Sequence, residues 1–344
     1  MSRRAGLAAA ALLAAAPGCL GSGFDLAALP AEPLAIVYRT REESERRVDL
    51  LARARESRVK QRSTETYDAS YFRLETAADA FGFGRSNEEK AADLLGRMAF
   101  VDARNEAVQP FEFAFRGDRP LDWTPDHRRL LFASLRAASV QLYEWDRESG
   151  DVRPMTSGPE EHSTGCYLPA GRLAISGQVP SSDGKTRVSR IYVTQPGGGQ
   201  PRPVTPGPSD LKPACSPDGS VIAYETRDPA GNPSIAVVAP DRDAPPRIAA
   251  AGRDPAFTPD GAFVVYSART RKSWRLYQMH PDGEAKRPLG GGPRDEHDPR
   301  VSPDGRYVIY VYDDEGRQQL RVRTIDGRKD RPLIWNGDGI TPVW

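Results

Sequence analysis

The chain has 344 residues, and its 48 basic and 47 acidic side chains leave a formal net charge of +1 at pH 7. This balance, without a long basic block, argues against a nucleic-acid-binding protein, because such proteins carry a basic face. The 31 prolines are about 9% of the chain, against a norm of ~5%, which is typical of a turn-rich β protein.

The N-terminus has the features of a secretory signal. Basic residues Arg3 and Arg4 precede an apolar stretch over residues 5–16, which predicts a signal peptide over residues 1–18. The following Ala16-Pro17-Gly18-Cys19 resembles a bacterial lipobox, which implies lipidation of Cys19 and thus a membrane anchor. Leu20, where Asp would suggest inner-membrane retention, favours the outer membrane. Ordinary signal cleavage without lipidation is the alternative.

Residues 19–96 predict a lipid attachment site, a linker and a small helical region. Residues 40–62 are highly charged with Val48, Leu51, Ala52 and Val59 at helical spacing, which predicts an amphipathic helix. A second helix is predicted over residues 87–98, opened by Ser86 with Glu88 and Glu89 in its first turn. These helices would pack on the following domain or form a stalk, or the first would bind a partner.

A four-residue turn motif returns along the rest of the chain. Its intact copies are Ser216-Pro217-Asp218-Gly219, Thr258-Pro259-Asp260-Gly261 and Ser302-Pro303-Asp304-Gly305, and its degraded copies are Thr124-Pro125-Asp126-His127 and Leu168-Pro169-Ala170-Gly171. The shared prolines stand 44, 48, 42 and 44 residues apart, a period that suits a four-stranded propeller blade. Each intact motif predicts a type I turn whose Asp bonds local backbone amides.

An apolar, β-rich run follows each turn, as expected of strands buried between neighbouring blades. These runs are residues 130–132, 173–175, 221–224, 263–266 and 307–310. Residues 341–344 repeat the opening of a unit and then stop, so we expect them to complete a first blade supplied by residues 98–103 and 111–115. Five whole units and this composite predict an all-β fold, a six-bladed β-propeller of four-stranded blades, over residues 97–344.

The Ser/Thr-Pro-Asp-Gly turn followed by an apolar strand resembles the TolB-type β-propeller repeat, which also occurs in the propellers of prolyl oligopeptidase-like enzymes. The resemblance covers roughly residues 97–344. It implies the propeller fold, and for TolB itself a periplasmic platform that binds a peptidoglycan-associated lipoprotein. Residues 20–96 do not match the α/β domain that precedes the propeller in TolB.

Cys166 and Cys215 are the two cysteines besides Cys19. Both stand just before the turn in neighbouring repeats, which predicts positions on innermost strands. A disulfide between adjacent blades is one possibility in an oxidising compartment. The ~10 Å spacing of packed sheets, against the ~7 Å that a disulfide allows between Cα atoms, favours two reduced core cysteines.

The sequence contains no nucleophile elbow, metalloprotease motif, phosphate loop or paired-cysteine zinc pattern, so no catalytic residue, metal or cofactor is predicted. Polar side chains recur in the loops that lead into the innermost strands, around one mouth of the channel. The candidate ligand-binding residues are Glu161, His162, Asp210, Asp254, Glu296, His297 and Asp298. The alternative is that these loops are polar because they face water. The basic cluster of Arg269, Arg271 and Lys272 is interpreted as a solvated loop.

These observations predict a non-enzymatic binding or scaffold protein on the periplasmic side of the bacterial envelope. It would be lipid-anchored to the outer membrane and would bind an envelope protein or peptide at the funnel, and no nucleic acid. The alternative is a metal-assisted polysaccharide lyase or hydrolase, for which His162 and His297 would have to converge on one ion. A third possibility is a structural spacer between membrane and wall.

Overall fold

The computed structural model of this protein describes most of the chain after the predicted signal peptide. The described residues are 24–64, 86–181, 187–195, 200–271, 273–314, 316–334 and 337–344. The predicted signal peptide, residues 1–18, and the lipidation candidate Cys19 lie outside the described residues. Within the described part of the chain, no helix is long and apolar enough to cross a membrane.

The described strands form six four-stranded antiparallel sheets, which are the blades of a β-propeller, as the repeat predicted. Blade 1 contains β24 (Gly337–Val343), β1 (Leu34–Thr40), β2 (Arg97–Asp102) and β3 (Ala107–Pro110). Blade 2 contains β4 (Arg119–Trp123), β5 (Arg129–Ser134), β6 (Gln141–Asp146) and β7 (Val152–Pro154). Blade 3 contains β8 (Gly165–Tyr167), β9 (Leu173–Pro180), β10 (Arg187–Val193) and β11 (Arg202–Pro203).

The other three blades have the same order along the chain. Blade 4 contains β12 (Leu211–Cys215), β13 (Ile222–Arg227), β14 (Pro233–Val238) and β15 (Arg247–Ala251). Blade 5 contains β16 (Arg253–Phe257), β17 (Val264–Arg269), β18 (Trp274–Met279) and β19 (Arg287–Pro288). Blade 6 contains β20 (Asp295–Val301), β21 (Tyr307–Asp314), β22 (Arg317–Thr324) and β23 (Asp330–Pro332). The strand named first in each blade above is the innermost strand. It contacts the innermost strands of both neighbouring blades.

Blade 1 closes the ring, because the C-terminal strand β24 pairs with β1 near the N-terminus. The expected composition of this blade was wrong in two respects. Its second strand is Leu34–Thr40, which no copy of the turn motif precedes, and residues 111–115 form no strand. Phe111 and Phe113 instead pack with Trp145 in an aromatic cluster that covers the side of blade 2. In the sequence, aromatic residues that pack beside a sheet show the same apolar pattern as residues of a strand. The pattern therefore did not distinguish the two.

The turns form as predicted. The Ser216 hydroxyl donates to Asp218 (2.6 Å), and the same carboxylate accepts from the Ser220 amide (3.0 Å). The Gly219 amide closes the turn on the Ser216 carbonyl at 2.8 Å. Gly219 has φ 72°, a left-handed conformation that glycine adopts without strain. The Asp side chains of the intact turns therefore stabilise the turns from within.

The described residues form two α-helices between β1 and β2 of blade 1. Helix α1 spans Arg41–Thr64 and rests on the propeller, where Arg47 Nη1 donates to the Gly316 carbonyl at 2.6 Å. Helix α2 spans Asn87–Asp93 and begins with a capping box between Ser86 and Glu89. The prediction extended this helix to Met98, but the chain turns at Gly96 with φ 95° and enters β2.

Cys166 and Cys215 form a disulfide with their Cα atoms 5.8 Å apart, so the prediction of two reduced cysteines was wrong. The ~10 Å spacing describes sheets packed face to face. Blades of a propeller converge toward the axis, and the innermost strands β8 and β12 approach each other more closely than the blade faces do. The disulfide links blade 3 to blade 4.

Candidate functional site at the channel mouth

Four innermost strands carry the same backbone irregularity at the end where the loops enter them. Lys212, Asp254, Asp298 and Thr341 each precede a proline and have φ between 46° and 57°. The pairing register of β12, β16 and β20 shifts at these positions, as in a β-bulge. A residue other than glycine with positive φ is uncommon, so the recurrence in successive blades marks a shared feature of this end of the channel. We call this end the mouth.

Three charged side chains from successive blades meet at the mouth. The Lys212 ammonium contacts the Asp254 carboxylate and lies 3.7 Å from Asp298 Oδ1. It also lies 3.2 Å from Oε1 of Glu225, which accepts the Asp254 amide at 2.7 Å. We call Lys212, Glu225, Asp254, His297 and Asp298 the mouth cluster. It joins blades 4, 5 and 6 through charged groups.

His297 is a cation in this cluster at neutral pH. Its Nδ1 lies 3.2 Å from Asp298 Oδ2, and its Nε2 lies 3.8 Å from Asp313 Oδ2. Burial opposes the charged form, but the hydrogen bonds to the two carboxylates outweigh it and raise the pKa of His297 to about 9. Burial alone would raise the pKa of Asp298, but the positive charges of Lys212 and His297 outweigh this effect and hold the pKa well below its usual range.

Glu225 titrates near neutrality. Burial raises its pKa to about 7, although the Lys212 ammonium favours the carboxylate form. The Lys212 pKa is itself raised, because the attraction of Asp254, Glu225 and Asp298 outweighs the effect of burial, so the ammonium stays charged. The cluster is therefore a nearly balanced arrangement of partly buried charges in which each has an opposite partner.

The other predicted site residues lie outside this cluster, in structural roles. Asp210 accepts from Thr226 Oγ1 (2.7 Å) and from the Gly207 amide (2.8 Å). Glu296 is fully buried and receives both Nη atoms of Arg323, at 2.7 and 3.1 Å. His162 is buried with Nδ1 3.0 Å from the Ser176 carbonyl oxygen, and burial lowers its pKa. The neighbouring Glu161 pairs through its backbone with Gln178.

The structure thus brings together Asp254, His297 and Asp298 from the predicted set. Sequence reasoning did not include Lys212 among the candidates, and it missed Glu225 and Asp313. The only available signal for Glu225 was a carboxylate at the end of the apolar run over residues 221–224. An acid in that place is partly buried beside the mouth, where the Lys212 ammonium lies 3.2 Å from it.

Three members of the mouth cluster have the donor atoms and spacing of a metal site. One ligand atom from each of Asp254, His297 and Asp298 lies within 4.8 Å of the other two. Among the described residues this is the one such group of His, Cys, Asp and Glu side chains, and His162 is not part of it. Imidazole and carboxylate are suitable ligands for divalent cations. A cation at this position would compete with the Lys212 ammonium and with the His297 proton.

The family model described as TolB beta propeller domain matches residues 176–344. TolB from Acinetobacter baumannii is 16% identical over 94% of this chain and 68% of its own, with a TM-score of 0.63. A putative TolB from Agrobacterium tumefaciens is 20% identical over 71% of this chain and 87% of its own, with a TM-score of 0.56. A search of curated proteins gave no match.

A fold of this kind also occurs in enzymes. An oligogalacturonate lyase solved in complex with manganese is 15% identical over 70% of each chain, with a TM-score of 0.51. At these identities the structural likeness establishes the fold and leaves the activity open.

Proposed function

This chain belongs to the TolB-like β-propeller family, and on that premise we propose that it is a binding or scaffold protein of the bacterial cell envelope. The mouth of the propeller would be the platform that binds an envelope protein or peptide. One observation carries the proposal: charged side chains from three successive inner strands converge at the mouth on a shared backbone bulge. A rigid, charged surface of this kind suits the recognition of a polar partner segment.

The disulfide supports a location in an oxidising compartment. Cys166–Cys215 joins two blades, and disulfides persist in oxidising compartments such as the periplasm. We propose that the protein lies on the periplasmic side and is held to the outer membrane by a lipid on Cys19. The intact mass of membrane-extracted protein tests this proposal. A triacylated mass that is lost in Cys19→Ser supports the anchor, and an unmodified soluble mass contradicts it.

The binding proposal is tested by crosslinking in envelope fractions. Lys212→Gln and Asp298→Asn change the charge of the mouth, whereas Asp243→Asn removes an exposed carboxylate in the β14–β15 loop and is the matched control. We expect a defined partner to be recovered with the wild-type protein and the control and to be lost with the two mouth variants. Melting curves must first show that the variants are folded. A partner retained by both variants would place its binding site elsewhere, and no partner at all would favour the structural spacer.

The expected pairing of His162 with His297 on one ion is not found, because His162 is not part of the ligand group. The geometry of that group still favours one alternative, a metal-assisted polysaccharide lyase or hydrolase with a different ligand set. Asp254, His297 and Asp298 would hold the cation, which would supply Lewis-acid chemistry. Calorimetric titration with Mn²⁺ and Zn²⁺, compared between wild type and His297→Ala, tests it. Saturable binding that needs His297, together with cleavage of an acidic polysaccharide, would support the enzyme. Absence of metal binding would contradict the enzyme alternative.

A further inference from the structure

A stacked arrangement of arginines lies on the outer side of the mouth, at the end of blade 5. Trp274 opens β18 and is the cross-strand partner of Arg269 on β17. The guanidinium carbon of Arg253 lies 4.2 Å from the Trp274 ring centroid, and that of Arg269 lies 5.6 Å from it. Cation–π contacts of this kind orient guanidinium groups that would otherwise move freely. Two positive charges are thus held beside one ring.

Much of the positive charge of this surface has no carboxylate partner among the described residues, although Asp295 Oδ1 accepts the Trp274 amide beside it at 2.9 Å. Arg269, Arg271 and Arg275 form no ion pair with any described carboxylate. Arg275 donates to the carbonyl of Arg294, which fixes its position without compensating its charge. Arg253 lies 3.3 Å from Asp254, but that carboxylate is already engaged by Lys212. A surface with oriented guanidinium groups and uncompensated charge is complementary to carboxylates.

We propose that Arg253 and Arg269, held beside Trp274, and Arg275, held by the Arg294 carbonyl, bind an acidic segment of a partner protein at the edge of the mouth. This inference rests on the proposed function, since it names the chemistry of the segment that the mouth platform would take. Arginine forks bind carboxylates through paired N–H donors, and a run of Asp or Glu side chains offers several such groups at once. On this proposal the surface binds anions and is more than the solvated basic loop that the sequence predicted, whose Lys272 lies outside the described residues.

Binding of defined peptides to the full chain tests the proposal. The probes are a fluorescein-labelled octapeptide of glutamate and its glutamine counterpart, followed by anisotropy at low and at physiological ionic strength. We expect the glutamate peptide to bind, with weaker binding in salt, and the glutamine peptide not to bind. Arg269→Gln combined with Arg275→Gln should weaken binding about tenfold or more, because each bond to a charged group contributes on this scale.

Two further variants separate charge from position. Arg242→Gln removes an exposed arginine from the β14–β15 loop at the other end of the propeller and should leave binding unchanged. Trp274→Leu removes no charge and should still weaken binding, because the guanidinium groups lose their common support. If Trp274→Leu does not fold, as judged by its melting curve, the arginine variants alone decide the result.

Three outcomes would overturn the proposal. The first is no binding of the glutamate peptide, and the second is equal loss of binding in Arg242→Gln. The third is preference by about tenfold or more for a polygalacturonate oligosaccharide, which would assign the same arginines to an acidic sugar polymer. Failure here is distinguishable from failure of the mouth platform. Loss of the envelope partner in Lys212→Gln, together with retained capture in Arg269→Gln/Arg275→Gln, would leave the mouth as the binding site without the arginine edge.

Discussion

The buried charge of Arg323 is tolerated because several fixed partners surround it. Arg323 and Glu296 are both buried, and Arg323 also bonds Asp330 (2.7 Å) and the Tyr310 hydroxyl (2.7 Å). Removing one partner from such a pair leaves an uncompensated charge in the interior. The predicted ligand residue Glu296 therefore has a structural reason to be an acid, which the sequence pattern alone did not reveal.

Replacement of Arg323 should expose this dependence. We expect Arg323→Met to lower the free energy of unfolding by about 3–5 kcal/mol, because Glu296 remains buried without its cation. Arg328→Met is the matched control, since Arg328 and its partner Asp326 are both exposed, and it should change the free energy by about 1 kcal/mol or less. Urea unfolding followed by tryptophan fluorescence measures both. Equal effects would mean that the buried pair has no special role.

The His297 charge predicts a specific pH dependence. Its folded pKa of about 9 lies above the ordinary value of 6.5, so its contribution to stability is present below pH 6.5 and is lost as the pH rises through 9. The full contribution is on the order of 3 kcal/mol. The difference in unfolding free energy between wild type and His297→Gln should therefore shrink from pH 6.5 to pH 9.5. A difference that stays constant over this range would contradict the elevated pKa.

At the level of elements, the disulfide connects strands that belong to different blades. It closes a loop with a sequence separation of 49 residues between β8 and β12. Loop-closure entropy gives a stabilisation of about 4 kcal/mol for such a loop. We expect Cys166→Ser/Cys215→Ser to lose about this amount in urea unfolding. Dithiothreitol should reproduce the loss in the wild-type protein and have no effect on the double variant, and a response of the variant to dithiothreitol would invalidate the assignment.

The elements that sequence could predict are those with a local signal. Blades 4, 5 and 6 carry an intact Pro-Asp-Gly turn followed by an apolar run, and both features arise from neighbouring residues. Strand β1 has no such turn, and its place in blade 1 depends on pairing with β24 at the other end of the chain. Asp254, His297 and Asp298 could be placed at the mouth by their position in the repeat. The Cys166–Cys215 bond, the Glu225–Lys212 contact and the burial of Glu296 depend on distances across blades, which repeat spacing does not give.

For the whole molecule, ring closure determines whether the blades unfold together in one cooperative transition. Strand β24 is the innermost strand of blade 1 and also contacts the inner strands of blades 2 and 6. Trp344 follows it and packs among Leu34, Ile36 and Ile309 in a core shared by blades 1 and 6. Without β24 the inner edge of β1 would be unpaired, and blade 6 would lose its neighbour at the axis.

We therefore expect deletion of residues 337–344 to abolish the single cooperative unfolding transition, because an open array of blades unfolds in parts. Trp344→Ala is the control that keeps the strand, and it should lower the free energy of unfolding by about 3–5 kcal/mol while the transition stays single. Calorimetry of both proteins measures the number of transitions. A synthetic peptide of residues 337–344 should restore cooperativity to the truncated protein if β24 acts by pairing with β1. A truncated protein that unfolds in one transition without the peptide would show that the ring does not depend on its C-terminal strand.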